Sequence, residues 1–556
     1  MEGVDMEALM PSSKFPRALL VFLLLLAVAL GVGLGSWGPL ESSEARYAEI
    51  GREMLASGDW LHPRLLGISH FHKPPLTYWL TAVGLAFTGS SVAGVRLLPV
   101  LAVLAQVVLV YGIGRLIFEN NTSRALGAAI VYGTFPVVWI SALNVTTDSY
   151  LATWELVATY GILHHYYRGG WGGLYFFWLA LGLAFLTKGP VGLLLPLMAV
   201  VGFYFRGQRA RRPFTRHHAV GLVLFVGLGL SWYIDLVAEN PVFLHYFLVG
   251  HTVERFTSAE AFGRAKPWWF YLVLVPATSL PWAGLLLTRA VRTGWNALPP
   301  PWRGLWLWWV LVPVGFFSLS QSKLLLYVLP VFPGMALLTS YYLHQLPAAG
   351  LARWRTGLLA FWVLVLLGLA VLPLVAALTH LVVPLCTTEV AVLGAMALLV
   401  LAGARRLAPQ KRMLGSATVF TVALLLAAKP LLQANELTFN GTQPVVAALE
   451  QAGLRGRPVL VYNQLLPSLA FTLGQVPVSL YVGNHNLVRE TQFEHDSRWR
   501  ATWLDLSGPH PAALDSLLRL RPVLLVKGEV HPEHQWLLQR LPQRKDVGRW
   551  RVYYER

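Results

Sequence analysis

Apolar runs of about 20 residues recur along this chain, each long enough to cross roughly 30 Å of hydrocarbon. They lie near 18–37, 93–115, 124–144, 149–166, 172–187, 190–205, 219–238, 268–289, 304–321, 324–344, 356–379, 388–404 and 413–429. In lipid every backbone polar group must find its partner within the structure, so such runs fold as helices. The expected class is therefore an all-α polytopic membrane protein with about thirteen crossings. Composition agrees: 556 residues, 55% hydrophobic and 13% charged, do not describe a water-soluble globule. One further apolar piece, 76–87, is short and follows Pro74-Pro75, which reads as a helix lying at the interface.

The formal net charge of +17 does not call for nucleic acid. With an odd number of crossings and a cytoplasmic N-terminus, Arg115, Arg124, Arg168, Arg206, Arg209, Arg289, Arg353, Arg406 and Lys411 all fall on the inner side. Outer loops mix both signs. That is the positive-inside asymmetry, and the arginines hold inner loops against anionic lipid. The single cysteine, Cys386, excludes an intramolecular disulfide framework.

Near residue 430 the pattern changes. Residues 1–430 form the membrane domain, and 431–556 lose the long apolar runs. Short β-rich pieces at 458–462, 477–482, 522–526 and 550–554 alternate with helical ones at 443–452, 511–520 and 532–541. This predicts a small α/β domain on the non-cytoplasmic side.

Charge beside a bilayer is expensive and needs a reason. The stretch 39–76 is the most charged part of the first half, with Glu41, Glu44, Glu49, Glu53 and Asp59 beside Arg46, Arg52, Arg64 and Lys73. Ser42 or Ser43 caps a helix over 44–56, closed by Gly58. Tyr47, Ile50, Met54 and Leu55 share its apolar face, and Arg46, Glu49, Arg52 and Glu53 the polar one. Pro74 and Pro75 restrict the backbone after Lys73 and aim its ammonium, which suits a lipid phosphate. His70 and His72 are two apart, as a metal pair can be, but no acid or cysteine stands at metal spacing. Asp148 opens another span on the same side as Glu44. Lys188-Gly189-Pro190 breaks a pair of spans, and Arg255 and Lys323 with Tyr327 occupy further outer loops. Cations and a few carboxylates thus gather at the outer face, which is the expected active site.

The residues that carry this pattern also carry a likeness. Ser43-Glu44-Ala45-Arg46-Tyr47-Ala48-Glu49-Ile50, Gly58-Asp59-Trp60, Lys73-Pro74-Pro75-Leu76, Thr147-Asp148, Thr187-Lys188-Gly189-Pro190, Arg255-Phe256, Pro267-Trp268-Trp269 and Ser322-Lys323 with Tyr327 follow in order. The set resembles the bacterial aminoarabinose transferase and protein mannosyltransferase family, glycosyltransferases of the C superfamily. The resemblance spans about residues 15–345. It implies an outward-facing active site, a periplasmic C-terminal domain and a multi-pass protein of the bacterial inner membrane. The family shows Asp-Glu where this chain has Ser43-Glu44, so either Glu44 or the nearby Glu41 takes the missing acid's place.

The implied reaction moves a sugar from undecaprenyl phosphate to a lipid A-like lipid, a glycan or a protein, with inversion at the anomeric carbon. Glu44, Glu41 and Asp148 are the implied catalytic acids. Lys73, Arg255, Lys323, Tyr327 and Arg46 are the implied contacts to the donor phosphate. No cofactor is required, and a divalent metal, although compatible, has no ligand set in the sequence. The alternative is a transporter or flippase of a lipid-linked sugar, which places its charges near mid-membrane rather than at one surface.

Overall fold

The computed structural model describes residues 16–89, 91–204, 215–247, 266–376, 381–404, 406–484, 489–508 and 511–556. Among them, seven helices are long and apolar enough to cross a membrane, or up to ten if each of three bent pairs is one span. In chain order the first elements are α1 (Arg17–Gly31), α2 (Ser43–Ser57), the hairpin β1 (Arg64–Leu65) and β2 (Ile68–Ser69), α3 (Leu76–Thr88), α4 (Val92–Ile117), α5 (Thr122–Gly133), α6 (Pro136–Leu143), α7 (Thr147–Arg168) and α8 (Gly172–Lys188). Three predicted single spans are bent. The run at 124–144 becomes α5 and α6 at 57°, with Pro136 as the physical cause. The run at 219–238 is bent by 51° beside Leu230, and the run at 268–289 by 115° beside Pro281.

The chain divides into two compact units. The first holds residues 1–32, 99–143 and 147–428. Its outward side chains include Leu24, Val223, Leu374 and Val400, which stand exposed as lipid-facing residues do. Lipid is as apolar as leucine, so helices here associate through close packing rather than exclusion from water. Gly161 on α7 and Gly173 on α8 show it. A Cβ built on either comes within 2.6 Å of the other's carbonyl oxygen, so only glycine permits this crossing. At Gly189 (φ +70°) the chain reverses, and a Cβ on Gly192 falls 2.6 Å from the carbonyl oxygen of Ala184. Lys188 therefore sits at the tip of a sharp turn.

The second unit holds residues 33–98, 144–146 and 429–556. Its sheet comprises β3 (Val459–Tyr462), β4 (Val478–Tyr481), β5 (Trp503–Asp505), β6 (Val523–Lys527), β7 (Gln543–Val547) and β8 (Trp550–Tyr554). The order is β5-β4-β3-β6-β8-β7. β5, β4, β3 and β6 run parallel, and β8 and β7 are antiparallel. The central strands β3 and β6 are continuously apolar because both faces are covered. Leu460, Leu480 and Leu524 enter one core, and Val461, Val523 and Leu525 the other. Each such side chain adds about 1.5–3 kcal/mol when fully buried. The sheet has two strands more than the sequence predicts. β5 has three residues and β7 is charged (Gln-Arg-Lys-Asp-Val), so neither shows apolar alternation, and both are edges.

In the same unit α2 packs on α3, burying Tyr47, Ile50, Met54, Tyr78 and Ala82 with Ala470 and Phe471. α2 ends at Gly58 in the left-handed region (φ 71°). Its polar face is less open than the pattern predicts, and Glu49 is fully buried. The reason is local pairing: Arg52 donates to both Glu49 oxygens at 2.6 and 2.7 Å, and the Gly67 N–H donates to Glu53 at 3.0 Å.

Candidate functional site

In the first unit the chemistry centres on α7. Asp148 lies in its first turn, where the helix dipole favours a carboxylate. Lys188 ends α8, where the dipole favours a cation. The Lys188 ammonium donates to the Asp148 carboxylate, and the two side chains are 8% and 7% exposed. The same ammonium stands 4.0 Å from the centroid of the Tyr327 ring, a cation–π distance. Three separate segments thus meet around one buried lysine.

The frame around Asp148 is rigid. Gln106 on α4 donates to the Ser149 carbonyl at 2.7 Å and to Thr153 at 2.9 Å, and Tyr132 on α5 donates to Gln106 at 2.6 Å. Tyr327 stands in a 3₁₀ turn, Leu325–Val331, tied by the Tyr271 hydroxyl to the Leu324 carbonyl at 2.9 Å. Two turns along α7 from Asp148, on the same face, Glu155 is buried within the charge field of Lys188. One of its oxygens has no hydrogen-bond partner among the described residues. Sequence reasoning missed this residue, although an acid inside an apolar run was the available signal.

Lys323 lies a few residues before Tyr327, as expected, but its ammonium is committed to backbone. It donates to the Lys266 carbonyl at 3.0 Å and to the Ser320 carbonyl. Arg255 lies outside the described residues.

In the second unit Glu44 is paired with an arginine. Arg96 donates to its two oxygens at 2.7 and 2.8 Å, the Leu40 N–H adds a third bond at 3.0 Å, and neither side chain is exposed. The remaining Arg96 donors reach the carbonyls of Leu34, Trp37 and Gly38. Its guanidinium also lies 4.2 Å from the Trp37 ring centroid. All five N–H groups of Arg96 are used, and Glu44 accepts three hydrogen bonds, so the two form a buried structural pair. Arg96 was the missed partner; a lone arginine at the start of an apolar run was its signal.

Glu41 is different. It is half-buried and accepts the Ser468 N–H at 2.8 Å. Burial pushes its carboxyl up to about 7, against the opposing pull of Ser468 and the Arg46 charge. Arg46 and Lys73 are also half-buried. His70 and His72 meet Glu490 at the end of the same loop, and the His72 Nε2 lies 3.1 Å from a Glu490 oxygen.

The fold is a polytopic helical bundle with charged residues at helix mouths and an α/β unit. Comparison with known proteins narrows the class. Residues 72–233 match the family model described as dolichyl-phosphate-mannose-protein mannosyltransferase. The undecaprenyl phosphate-alpha-4-amino-4-deoxy-L-arabinose arabinosyl transferase of Pseudomonas paraeruginosa is 31% identical over 474 residues, covering 82% of this chain and 84% of its own length. Transferases 1 and 2 of Pseudomonas fluorescens are 33% and 35% identical, and the chain spans only 58% and 52% of their length. The crystal structure of ArnT from Cupriavidus metallidurans bound to undecaprenyl phosphate superposes with a TM-score of 0.75, covering 96% of this chain and 97% of that one at 23% identity. The chain belongs to the undecaprenyl phosphate-aminoarabinose arabinosyl transferase family, and it is a multi-pass membrane protein.

Proposed function

We propose that the chain transfers 4-amino-4-deoxy-L-arabinose from undecaprenyl phosphate to a lipid A-like acceptor at the periplasmic face of the inner membrane. The observation that carries this reading is the Asp148–Lys188–Tyr327 cluster at the mouth of α7. It supplies a carboxylate, a cation and an aromatic face from three segments. Kinship to transferases named for this donor points the same way.

In the proposed step an acceptor oxygen attacks the anomeric carbon of the donor, the bond from that carbon to the phosphate oxygen breaks, and undecaprenyl phosphate leaves with one more negative charge. Lys188 stabilises that growing charge. Asp148 holds Lys188 in place and orients, or deprotonates, the acceptor. Of the two acids left open in the second unit, Glu44 is bound to Arg96, and Glu41, whose carboxyl burial pushes up to about 7, is the proposed general base. Lys73, Arg46 and Arg255 remain proposed contacts to the donor phosphate, and Lys323 holds the loop before Tyr327.

The same reading includes thirteen crossings. The seven long helices and three bent pairs are joined by Arg17–Gly31, by Thr147–Arg168 and by division of Gly172–Gly202 at the Gly189 reversal. Thirteen crossings with the arginines inside put the N-terminus in the cytoplasm and the α/β unit in the periplasm.

The test is mass spectrometry of lipid A from a strain carrying or lacking this gene under conditions that supply the donor. Aminoarabinose present only in the first strain supports the assignment. Identical lipid A in both strains sinks it.

A further inference from the structure

The α/β unit carries a cleft at one end of its sheet that the proposed transfer does not use. β8 runs antiparallel to β6 and β7 antiparallel to β8, so the start of β6, the end of β8 and the start of β7 lie together. Arg521 stands just before β6, Glu555 just after β8, and Arg540 shortly before β7, at the end of the helix Trp536–Arg540. Arg519 ends the helix Ala512–Arg519, and Asp515 lies one turn earlier. These five side chains line a cleft of about 410 Å³, within the roughly 300–1,000 Å³ of ligand sites. We infer that the cleft binds a phosphorylated saccharide, the part of an extended lipid A-like acceptor that lies beyond the group receiving the sugar. That this saccharide belongs to the acceptor rests on the transfer reading.

Charge and partners select this class of ligand. Among the described residues Arg519 and Arg540 make no hydrogen bond or ion pair, and both are exposed. Arg521 is occupied: its Nε stands 4.0 Å from a Glu555 oxygen, and its guanidinium donates to the Arg556 carbonyl at 3.1 Å. Two guanidiniums then face Asp515, which leaves the cleft positive. A guanidinium fork matches phosphate with two parallel hydrogen bonds. Helix C-termini favour cations, but that alone does not bring the arginines of two separate helices into one cleft. Arg521 also holds φ at +51°, a left-handed conformation that glycine adopts at less cost. The carboxylates of Asp515 and Glu555 accept from sugar hydroxyls, whereas a bare phosphate would only be repelled by them. A protein partner would need an apolar centre, and the apolar lining is only Leu518, half-buried, and Leu541, buried. Glu41 lies at the other end of the sheet, bonded to the Ser468 N–H after β3 and within the charge field of Lys527, where β6 ends. The five residues of β6 separate the two ends by roughly 16 Å. The cleft therefore suits the remote part of an acceptor several sugars long.

The experiment uses the full chain in detergent and the saccharide that complete deacylation releases from lipopolysaccharide, its phosphates intact and a fluorophore attached. Fluorescence anisotropy should show saturable binding, weakened about tenfold or more in the double variant Arg519→Gln/Arg540→Gln and unchanged in Arg498→Gln. Arg519 and Arg540 are exposed, so neither substitution opens the core. Arg498, 89% exposed, pairs with Asp496 ahead of β5, at the other edge of the sheet. Dephosphorylating the saccharide should abolish binding. Inorganic phosphate and glycerol phosphate, the chemistry of a phospholipid headgroup, should compete about tenfold more weakly or less. Equal affinity in the wild type and the double variant, retained binding of the dephosphorylated saccharide, or competition by either small phosphate as strong as the saccharide's own overturns the inference. Binding needs no sugar transfer. A chain that binds the saccharide but leaves lipid A unmodified refutes the transfer reading alone, and one that transfers without this binding refutes the cleft alone.

Discussion

Asp148 and Lys188, forty residues apart in the chain, form a buried ion pair in which each sits at the helix end whose dipole favours its charge. Breaking this buried pair also leaves one charge uncompensated, so the single variants lose stability as well, while the Gly161–Gly173 crossing still joins α7 to α8. Per folded molecule, Asp148→Asn and Lys188→Ala are expected to lower the transfer rate by about 100-fold or more. The double variant should lose little beyond either single one, since the two act as a unit. Steady-state transfer assays on the four proteins measure this directly.

Tyr327 separates stacking from hydrogen bonding. Its ring lies 4.0 Å from the Lys188 ammonium. Tyr327→Phe keeps the ring, whereas Tyr327→Ala removes an interaction of about 0.5–2 kcal/mol. The expected cost in kcat/KM is roughly 2- to 30-fold greater for alanine than for phenylalanine. Equal losses in both variants would assign Tyr327's role to its hydroxyl.

Glu44 and Arg96 answer to stability rather than rate. Removing one partner of a fully buried pair costs about 3–5 kcal/mol, because the other charge is left uncompensated. Arg96→Ala and Glu44→Gln should each lower the unfolding midpoint and the amount of protein recovered from membranes. Activity per folded molecule should fall far less than in Asp148→Asn. Thermal unfolding in detergent, scored beside specific activity, distinguishes the two effects.

The sequence disclosed the bundle, the strands β3, β4, β6 and β8, and the segments bearing charge, because apolar periodicity and charge next to lipid are local signals. It could not disclose pairing. Glu44 reads the same whether it faces an acceptor or Arg96, since the partner is 52 residues away and buried. His70 and His72 read as an incomplete set because Glu490 stands at the other end of the chain. β5 and β7 escaped notice as short or charged edges, and the 115° bend beside Pro281 depends on packing that no single span encodes.

Helix α2 carries its own pH dependence. Burial pushes Glu49 up to about 8 and raises Glu53, against the opposing pull of Arg52. The folded chain therefore keeps a proton that the unfolded chain releases near 4.5. A carboxyl raised on folding stabilises most below its unfolded value, and that stability is lost as pH rises through the folded one. The unfolding midpoint of the wild type should fall between about pH 5 and 8, and Glu49→Gln, which mimics the protonated acid, should flatten the fall. Parallel profiles for the two proteins would contradict the raised Glu49 carboxyl.

Sugar transfer itself is tested most directly in proteoliposomes containing the pure protein, sugar-labelled undecaprenyl phosphate-aminoarabinose and lipid A. The account predicts that label moves from the carrier to lipid A with wild type, and stays on the carrier with Asp148→Asn and Lys188→Ala. Label that crosses the bilayer still attached to its carrier, or that reaches lipid A equally well in both variants, would contradict it.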